Sequence, residues 1–219
     1  MATCKYCGKS AGLFSHSHKK CEEKHNQGLA ILEGAMRSYF RNTTQIGELN
    51  KVVANVSQTF FVSVEDISRS SGKCIDEWTN TIHWPFHSTQ LARVKDFLDN
   101  VGVSYQGINS SGALDRLCQK MLRGFMAEYF TNQKTLQRAI PISQQVMNTL
   151  PISRQQEQDA YYEMLGQAGK NFLKDGYLTP AEQHKVDEYV STLGLSLINL
   201  PASLQGTQIE ERGQSSILG

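Results

Sequence analysis

The sequence predicts an all-α protein, and three observations carry that prediction. Apolar residues recur at the three- and four-residue spacing of a helix, glycines follow several of these stretches, and two segments recur further along the chain. With 219 residues, 39% hydrophobic and 20% charged, the chain is long enough and apolar enough to bury a core. We therefore expect compact helical structure over most of its length.

The recurring segments indicate an internal repeat. Residues 31–42 match residues 121–132 at an offset of 90, and residues 94–104 match residues 186–196 at an offset of 92. Two matches in the same order, with nearly equal offsets, are typical of a tandem duplication. The sequence thus predicts a duplicated helical domain whose two copies are related by a pseudo-twofold axis.

Each copy opens and closes with an amphipathic helix. The opening stripes lie at i, i+4, i+7 and i+8, and consist of Leu32, Met36, Tyr39 and Phe40 in one copy and Leu122, Met126, Tyr129 and Phe130 in the other. Gly102 and Gly194 follow the closing helices and can adopt the left-handed conformation of a C-cap. Thr179, Pro180 and Glu182 have the pattern of a capped helix start.

The middle of each copy is less regular. A helix is expected over residues 43–61 and another from Ile75 to Trp84, with a short strand as an option at residues 60–64. In the second copy, Pro141 and Pro151 predict a break into short helices. A longer helix is expected over residues 155–174.

Four residues near the start have the spacing of a small metal site. Two residues separate Cys4 from Cys7, two separate His18 from Cys21, and ten lie between the pairs. Three thiolates and one imidazole at tetrahedral geometry are ligands that Zn²⁺ prefers. Residues 1–25 are therefore predicted to form a zinc finger with one structural zinc per chain.

The fourth ligand of this site has alternatives. His16 and His25 are close enough in sequence to replace His18, which is preferred because its His-x2-Cys pair repeats the loop of the first pair. A disulfide explains the cysteines less well, because the chain has five of them and no secretory signal precedes Cys4.

These patterns give the predicted domain organisation. The last segment is rich in glycine, glutamine and serine, which is typical of disorder. The expected parts are a zinc finger at 1–25, a helical domain at 27–198 with copies at about 27–106 and 117–198, and a disordered tail at 199–219.

Charge is nearly balanced over the chain, at a net +1, but not over the finger. Its five lysines exceed its two glutamates by three, so a nucleic-acid-binding finger is an alternative function. The contact residues for that alternative would be Lys5, Lys9, Lys19, Lys20, Tyr6 and Phe14. No apolar run approaches the roughly 18–20 residues of a membrane span, so we expect no membrane partner and a cytoplasmic protein.

Residues 174–182 read Lys-Asp-Gly-Tyr-Leu-Thr-Pro-Ala-Glu, and the chain continues through Val186 to the Leu-Gly-Leu-Ser of residues 193–196. This pattern resembles the TerB-like (tellurite-resistance) helical family. The resemblance implies a compact helical fold built from two similar halves. The finger segment also resembles short zinc fingers that precede helical domains in uncharacterised bacterial proteins.

In the TerB-like family, acidic residues around the Asp-Gly turns are thought to bind a metal. The resemblance therefore makes Asp175 and Glu182 candidates for a second metal site. Two carboxylates are few for a hard cation, which takes about six oxygen ligands, and residues 84–88 at the equivalent turn of the first copy contain no acid. The alternative is that Asp175 is a turn residue and Glu182 a capping acid.

The chain contains none of the common catalytic or phosphate-binding motifs. A pocket around His83, Trp84 and His87 would be the basis of an enzymatic alternative. Pro85 argues against a continuous helix there, so His83 and His87 are not expected to face a metal together. The sequence thus favours a non-enzymatic adaptor or scaffold that binds a protein partner through its helical domain.

Overall fold

The fold is described from a computed structural model of the chain, which is mostly helical. This confirms the all-α prediction. The residues that it describes are 2–12, 16–83, 88–132, 134–150, 153–196, 199–200 and 204. The chain divides into two compact units, which are Met1–Lys120 with Val146–Pro151, and Met121–Gln145 with Ile152–Gly219.

A short β-hairpin opens the described chain. Its strands, β1 (Ala2–Thr3) and β2 (Ser10–Gly12), pair antiparallel. The turn between them is closed by backbone hydrogen bonds from Cys4 N–H to the Lys9 carbonyl at 2.7 Å and from Gly8 N–H to the Cys4 carbonyl at 2.9 Å. The sequence analysis did not predict this hairpin, because strands of two and three residues have no readable alternation.

Helices make up most of the rest of the described fold. In chain order they are α1 (Lys19–Phe40), α2 (Ile46–Thr59), α3 (Val64–Thr81), α4 (Ser88–Asn100), α5 (Tyr105–Ile108), a 3-10 turn (Asn109–Ser111), α6 (Ala113–Phe130), α7 (Leu136–Thr149), α8 (Arg154–Phe172), a second 3-10 turn (Leu173–Asp175) and α9 (Pro180–Leu193). Among the described residues, none of these helices combines the length and the hydropathy that a membrane span needs.

Helix α1 is central to the first unit and packs against α2 and α3. Its predicted stripe is buried, with Leu32 and Met36 fully removed from solvent. The predicted boundary between the finger and the helical domain, at residues 25 to 27, falls inside this helix. The finger segment and the helical core therefore share one continuous helix.

Helix α3 begins earlier than predicted. Ser63 and Asp66 form a capping box, with the Ser63 hydroxyl accepting from Asp66 N–H and the Asp66 carboxylate accepting from Ser63 N–H. The strand considered at residues 60–64 is therefore absent, since Val64 is the first residue of α3. The capping pair of α3, Ser63 and Asp66, has the same three-residue spacing as Thr179 and Glu182, which the sequence analysis identified as a capping pair.

The second unit corrects the prediction for Pro141. This proline lies inside α7, and no break divides the helix. Burial of Leu136, Ala139 and Val146 along α7 offsets the backbone hydrogen bond that proline cannot donate. Pro151 lies outside the described residues.

The closing helix of the second unit follows the prediction closely. Thr179 and Glu182 form a capping box, Pro180 is the first helical residue, and Gly194 ends the helix with φ of 62°. In the tail, Leu204 is buried against Gly169, and the rest of 201–219 lies outside the described residues.

Each unit holds a tyrosine at the end of its opening helix in the same arrangement. The Tyr39 hydroxyl donates to the Asp96 carboxylate at 2.9 Å and lies 3.0 Å from the Arg93 carbonyl. The Tyr129 hydroxyl donates to the Glu188 carboxylate at 2.8 Å and lies 2.9 Å from the Lys185 carbonyl. Three residues later, Asn42 and Asn132 adopt φ of 64° and 63°.

Candidate metal centre

Cys4, Cys7, His18 and Cys21 come together at the start of the chain. One potential ligand atom from each lies within 4.8 Å of all the others. The His18 Nδ1 atom is 3.4 Å from Cys7 Sγ and 3.8 Å from Cys21 Sγ. Around a tetrahedral ion with metal–sulfur bonds of about 2.3 Å and metal–nitrogen bonds of about 2.0 Å, neighbouring ligand atoms lie about 3.5–3.8 Å apart. The four side chains are therefore spaced to hold a metal ion.

Two local structures supply these ligands. Cys4 and Cys7 belong to the turn of the β-hairpin, whereas His18 is the N-cap residue of α1 and Cys21 lies in its first turn. The backbone N–H of His18 also donates to Cys4 Sγ at 3.4 Å. A metal at this site would join the hairpin to the start of α1.

The imidazole of His18 is oriented by a contact on its far side. Its Nε2 atom lies 2.9 Å from the Ser10 carbonyl oxygen in β2, to which an Nε2–H donates. With the proton on Nε2, the lone pair of Nδ1 faces the thiols. The His18 side chain makes no capping hydrogen bond to the backbone N–H groups of α1, and its ring faces the cysteine cluster instead.

The thiols of this cluster differ in acidity. Removal from water works to raise the pKa of Cys4, but hydrogen bonds from backbone N–H groups, led by that of His18, bring it down to about 6. Removal from water raises the pKa of Cys21 to about 11, and the nearby sulfurs of Cys7 and Cys4 add to the rise. The hydrogen bond to the Ser10 carbonyl is the main cause that raises the pKa of His18.

The alternative histidines lie apart from the cluster. His16 is exposed, and its backbone carbonyl accepts from Lys5 N–H at 3.0 Å. His25 is buried, with Nδ1 at 3.1 Å from the Phe61 carbonyl oxygen and Nε2 at 3.8 Å from the Asp66 carboxylate. Neither is among the four residues that the structure brings together.

His25 also contacts the turn of the β-hairpin, which the sequence analysis missed. The ring of Tyr6, between the first two cysteines, packs over the His25 ring at 4.6 Å between centroids. Phe61, whose carbonyl contacts His25, has φ of 59°, and Lys24 Nζ lies 5.3 Å from its ring. No sequence signal marks these contacts, because they join residues 19 and 36 positions apart.

The acids proposed for a second metal do not form such a cluster. Glu182 accepts hydrogen bonds from Thr179 N–H at 2.8 Å and from the Thr179 hydroxyl at 2.7 Å. Asp175 is exposed at the end of a 3-10 turn. Within the described part of the chain, neither belongs to a group of three or more potential metal ligands.

The residues considered for nucleic-acid contact have mixed surroundings. The exposed ones are Lys5, Lys9, Lys19 and Lys20. Tyr6 is half-buried between His25 and the Lys5 ammonium group, which lies 4.8 Å from its ring centroid. Phe14 lies outside the described residues. Of the three residues considered for an enzymatic pocket, His83 is exposed, and Trp84 and His87 lie outside the described residues.

The chain matches no protein-family model, no curated protein and no solved structure.

Proposed function

We propose that this protein is a non-enzymatic, cytoplasmic adaptor in which one structural Zn²⁺ joins a β-hairpin to a helical domain that binds a protein partner. The observation that carries the proposal is the cluster of Cys4, Cys7, His18 and Cys21, whose ligand atoms lie within 4.8 Å of one another. The choice of zinc rests on the donor set, because three thiolates and one imidazole at tetrahedral spacing suit Zn²⁺ better than harder divalent ions.

A structural role for the zinc follows from the number of ligands. Four protein ligands fill a tetrahedral site and leave no position for a water or substrate. The support of His18 Nε2 by the Ser10 carbonyl further favours a rigid centre. Because the last ligand, Cys21, belongs to α1, the ion would hold the hairpin on the helix that the first unit is built around.

The metal content of the purified chain tests the zinc assignment. We expect about one zinc per chain in reduced protein, and a loss of that zinc in Cys4→Ser, Cys7→Ser and Cys21→Ser. Cys74→Ser is a matched control, because Cys74 is buried in α3 and lies outside the cluster. Reduced protein that contains no metal would refute the assignment.

The adaptor role needs a separate test. The tagged chain is incubated with lysate of its native host, with and without nuclease, and retained proteins are identified. We expect one protein to be retained in both lysates and to be retained also by Lys19→Glu/Lys20→Glu, whose charge change would abolish a nucleic-acid bridge. Retention that disappears with nuclease would contradict the proposal.

A second candidate function, nucleic-acid binding by the finger, is favoured by the exposure of Lys5, Lys9, Lys19 and Lys20. Against it, Tyr6 packs on His25 and is less available for stacking on a base. Binding through these lysines would weaken steeply with salt, with a slope of about −0.9 in log K against log salt for each phosphate neutralised on duplex DNA. A gel-shift titration at several salt concentrations distinguishes this function from the adaptor role.

We also infer that the helical domain arose by tandem duplication. The support is the recurrence of one arrangement at sequence offsets of 90 to 92: Tyr39 with Asp96 in the first half and Tyr129 with Glu188 in the second. The capping serines Ser63 and Ser153 also recur at an offset of 90. Tyr39→Phe and Tyr129→Phe should then lower the free energy of unfolding by similar amounts, about 1 kcal/mol each, in urea titrations.

The relation to the TerB-like family is likewise a proposal. Its support is the local structure around the motif, where a 3-10 turn ends at Gly176 with φ of 86° and Thr179 caps α9. A tellurite-resistance relative whose experimental structure lacks this turn and cap would argue against the relation.

A further inference from the structure

The second compact unit contains an open cavity of about 470 Å³ that the metal centre does not use. Residues from the end of α6, the turn after it, the first turn of α7 and the part of α9 between Ala181 and Glu188 line it. The charged and polar side chains among them are Asn132, Lys134, Arg138, His184, Lys185 and Glu188. Three cations thus face one carboxylate, and a histidine lies among them.

Some of these charges have structural roles. Glu188 accepts the hydrogen bond from the Tyr129 hydroxyl, and Lys185 Nζ donates to the Phe130 carbonyl at 3.2 Å at the end of α6. Lys134 forms an ion pair of 2.6 Å with Glu128, whose side chain is only 8% exposed. These contacts give a structural reason for the lysine at position 134 and for the lysine at position 185.

Arg138 and His184 have no comparable role. Both are exposed, and neither side chain makes a hydrogen bond or an ion pair with another residue in the described part of the chain. They line the same cavity from two different helices, α7 and α9. The fold therefore does not require their positive or hydrogen-bonding groups.

The first half of the chain provides an internal comparison. At the matching offsets it keeps the structural residues, with Asn42 for Asn132, Arg93 for Lys185 and Asp96 for Glu188. It replaces the cavity's other polar groups, with Thr44 for Lys134, Glu48 for Arg138 and Ala92 for His184. The first half thus keeps one basic residue, Arg93, but has no counterpart of Lys134, Arg138 or His184.

We propose that this cavity binds a small phosphorylated anion of about mononucleotide size. Its volume lies within the range of about 300–1,000 Å³ that is typical of small-molecule sites. The Arg138 guanidinium can offer paired N–H donors to a phosphate, and His184 can donate to a second oxygen. Lys185 adds positive charge, and Glu188 faces the part of the ligand that carries hydroxyl groups.

Titration of the full, zinc-loaded chain with adenosine monophosphate, adenosine and inorganic phosphate tests this site. Binding is followed by NMR chemical shifts, with the His184 ring protons as the local probe. We expect saturable binding of adenosine monophosphate at millimolar concentration or below, weaker binding of inorganic phosphate, and no saturable binding of adenosine. Equal binding of adenosine and adenosine monophosphate, or no saturable shift with any phosphate, would overturn the proposal.

Variants locate the binding to the cavity. Arg138→Glu introduces the charge that Glu48 has in the first half and should weaken binding at least about tenfold; His184→Ala, followed on neighbouring amides, should weaken it several-fold. Lys51→Glu makes an equal change of charge at an exposed position of α2 and should leave binding unchanged.

Far-UV circular dichroism confirms that each variant is folded. Unchanged affinity in both cavity variants, or equal loss in Lys51→Glu, would contradict the assignment. The proposal does not depend on the zinc or the adaptor role.

Discussion

The two ring nitrogens of His18 have separate tasks, since Nε2 bonds to the Ser10 carbonyl and Nδ1 faces the cysteine sulfurs. His18→Ala should therefore weaken zinc binding by at least the 10- to 100-fold that loss of an outer contact alone costs. His16→Ala should leave the affinity unchanged, because His16 is exposed and outside the cluster. Competition with a chromophoric chelator measures both. Equal losses in the two variants would refute the choice of His18.

The thiol pKa values predict a dependence of zinc affinity on pH. Zinc binds thiolates, so it must displace the proton of Cys21, whose pKa is raised to about 11, at any neutral pH. Cys4, with a pKa of about 6, is already ionised above that pH and releases none. Affinity should thus rise with pH, by about tenfold per unit for each proton displaced, and fall more steeply below pH 6 as Cys4 takes up its proton.

Chelator competition at several pH values measures this slope, and calorimetry in buffers of different ionisation enthalpy counts the protons released. An affinity that is constant between neutral and mildly alkaline pH would show that all the ligands are ionised before the metal binds.

The cluster of Cys4, Cys7, His18 and Cys21 was predictable because both pairs depend on a spacing of two residues, which is visible directly in the sequence. The contacts that orient them were not. The Ser10 carbonyl belongs to the backbone and has no sequence signature, and the packing of Tyr6 on His25 depends on the path of the chain between them.

Helix α1 contains two glycines in opposite environments. A Cβ atom at Gly28 would lie 2.4 Å from Phe60 Cβ and 2.9 Å from Val62 Cγ2, so Gly28→Ala should lower the free energy of unfolding by about 1–3 kcal/mol. A Cβ atom at Gly34 would meet nothing within 4 Å, so Gly34→Ala should raise it by about 0.5–1 kcal/mol. Urea unfolding measures both. Changes of the same sign would mean that α1 does not approach the α2–α3 loop this closely.

Helices were predicted well where their apolar stripes or caps were recognised. They were predicted poorly where burial against other helices determines where a helix begins or continues. Pro141 was read as a break by its local chemistry, yet α7 continues through it because Leu136 and Val146 are buried on either side. The start of α3 was missed although its capping pair, Ser63 and Asp66, was visible, because the aromatic residues just before it suggested a strand.

Removal of zinc should affect the molecule unevenly. The hairpin has almost no apolar core of its own, whereas α1 to α9 bury theirs, so chelation should release the hairpin and leave far-UV circular dichroism nearly unchanged. Hydrogen exchange should show the same division, with lost protection at the amides of Cys4 and Gly8 and retained protection at Met36. Added zinc should restore the original pattern. A cooperative loss of helix on chelation would contradict this prediction.

At the scale of the whole chain, the proposed internal repeat rests on two pairs of matched sequence segments, which stand out because they carry bulky apolar side chains at helical spacing. The boundary between the finger and the helical domain was not visible. The finger was separated from the helical domain near residue 26, yet α1 runs from Lys19 to Phe40 without interruption. A ligand pattern and an apolar stripe overlap in this helix, and either pattern alone suggests a boundary.

The overlap has a consequence for how the chain can change in length. Steps of three or four residues separate Cys21, His25, Gly28, Leu32 and Met36, so the proposed zinc ligand Cys21 lies on the same face of α1 as the buried stripe. One inserted residue between Cys21 and Leu32 would turn that face by about 100°, and either the cysteine would leave the cluster or the stripe would leave the core. Only insertions or deletions close to whole turns of the helix, such as seven residues, preserve both. Homologous chains should therefore tolerate varied residues on the outer face of α1, while the number of residues from Cys21 to Met36 stays constant or changes only by close to whole turns.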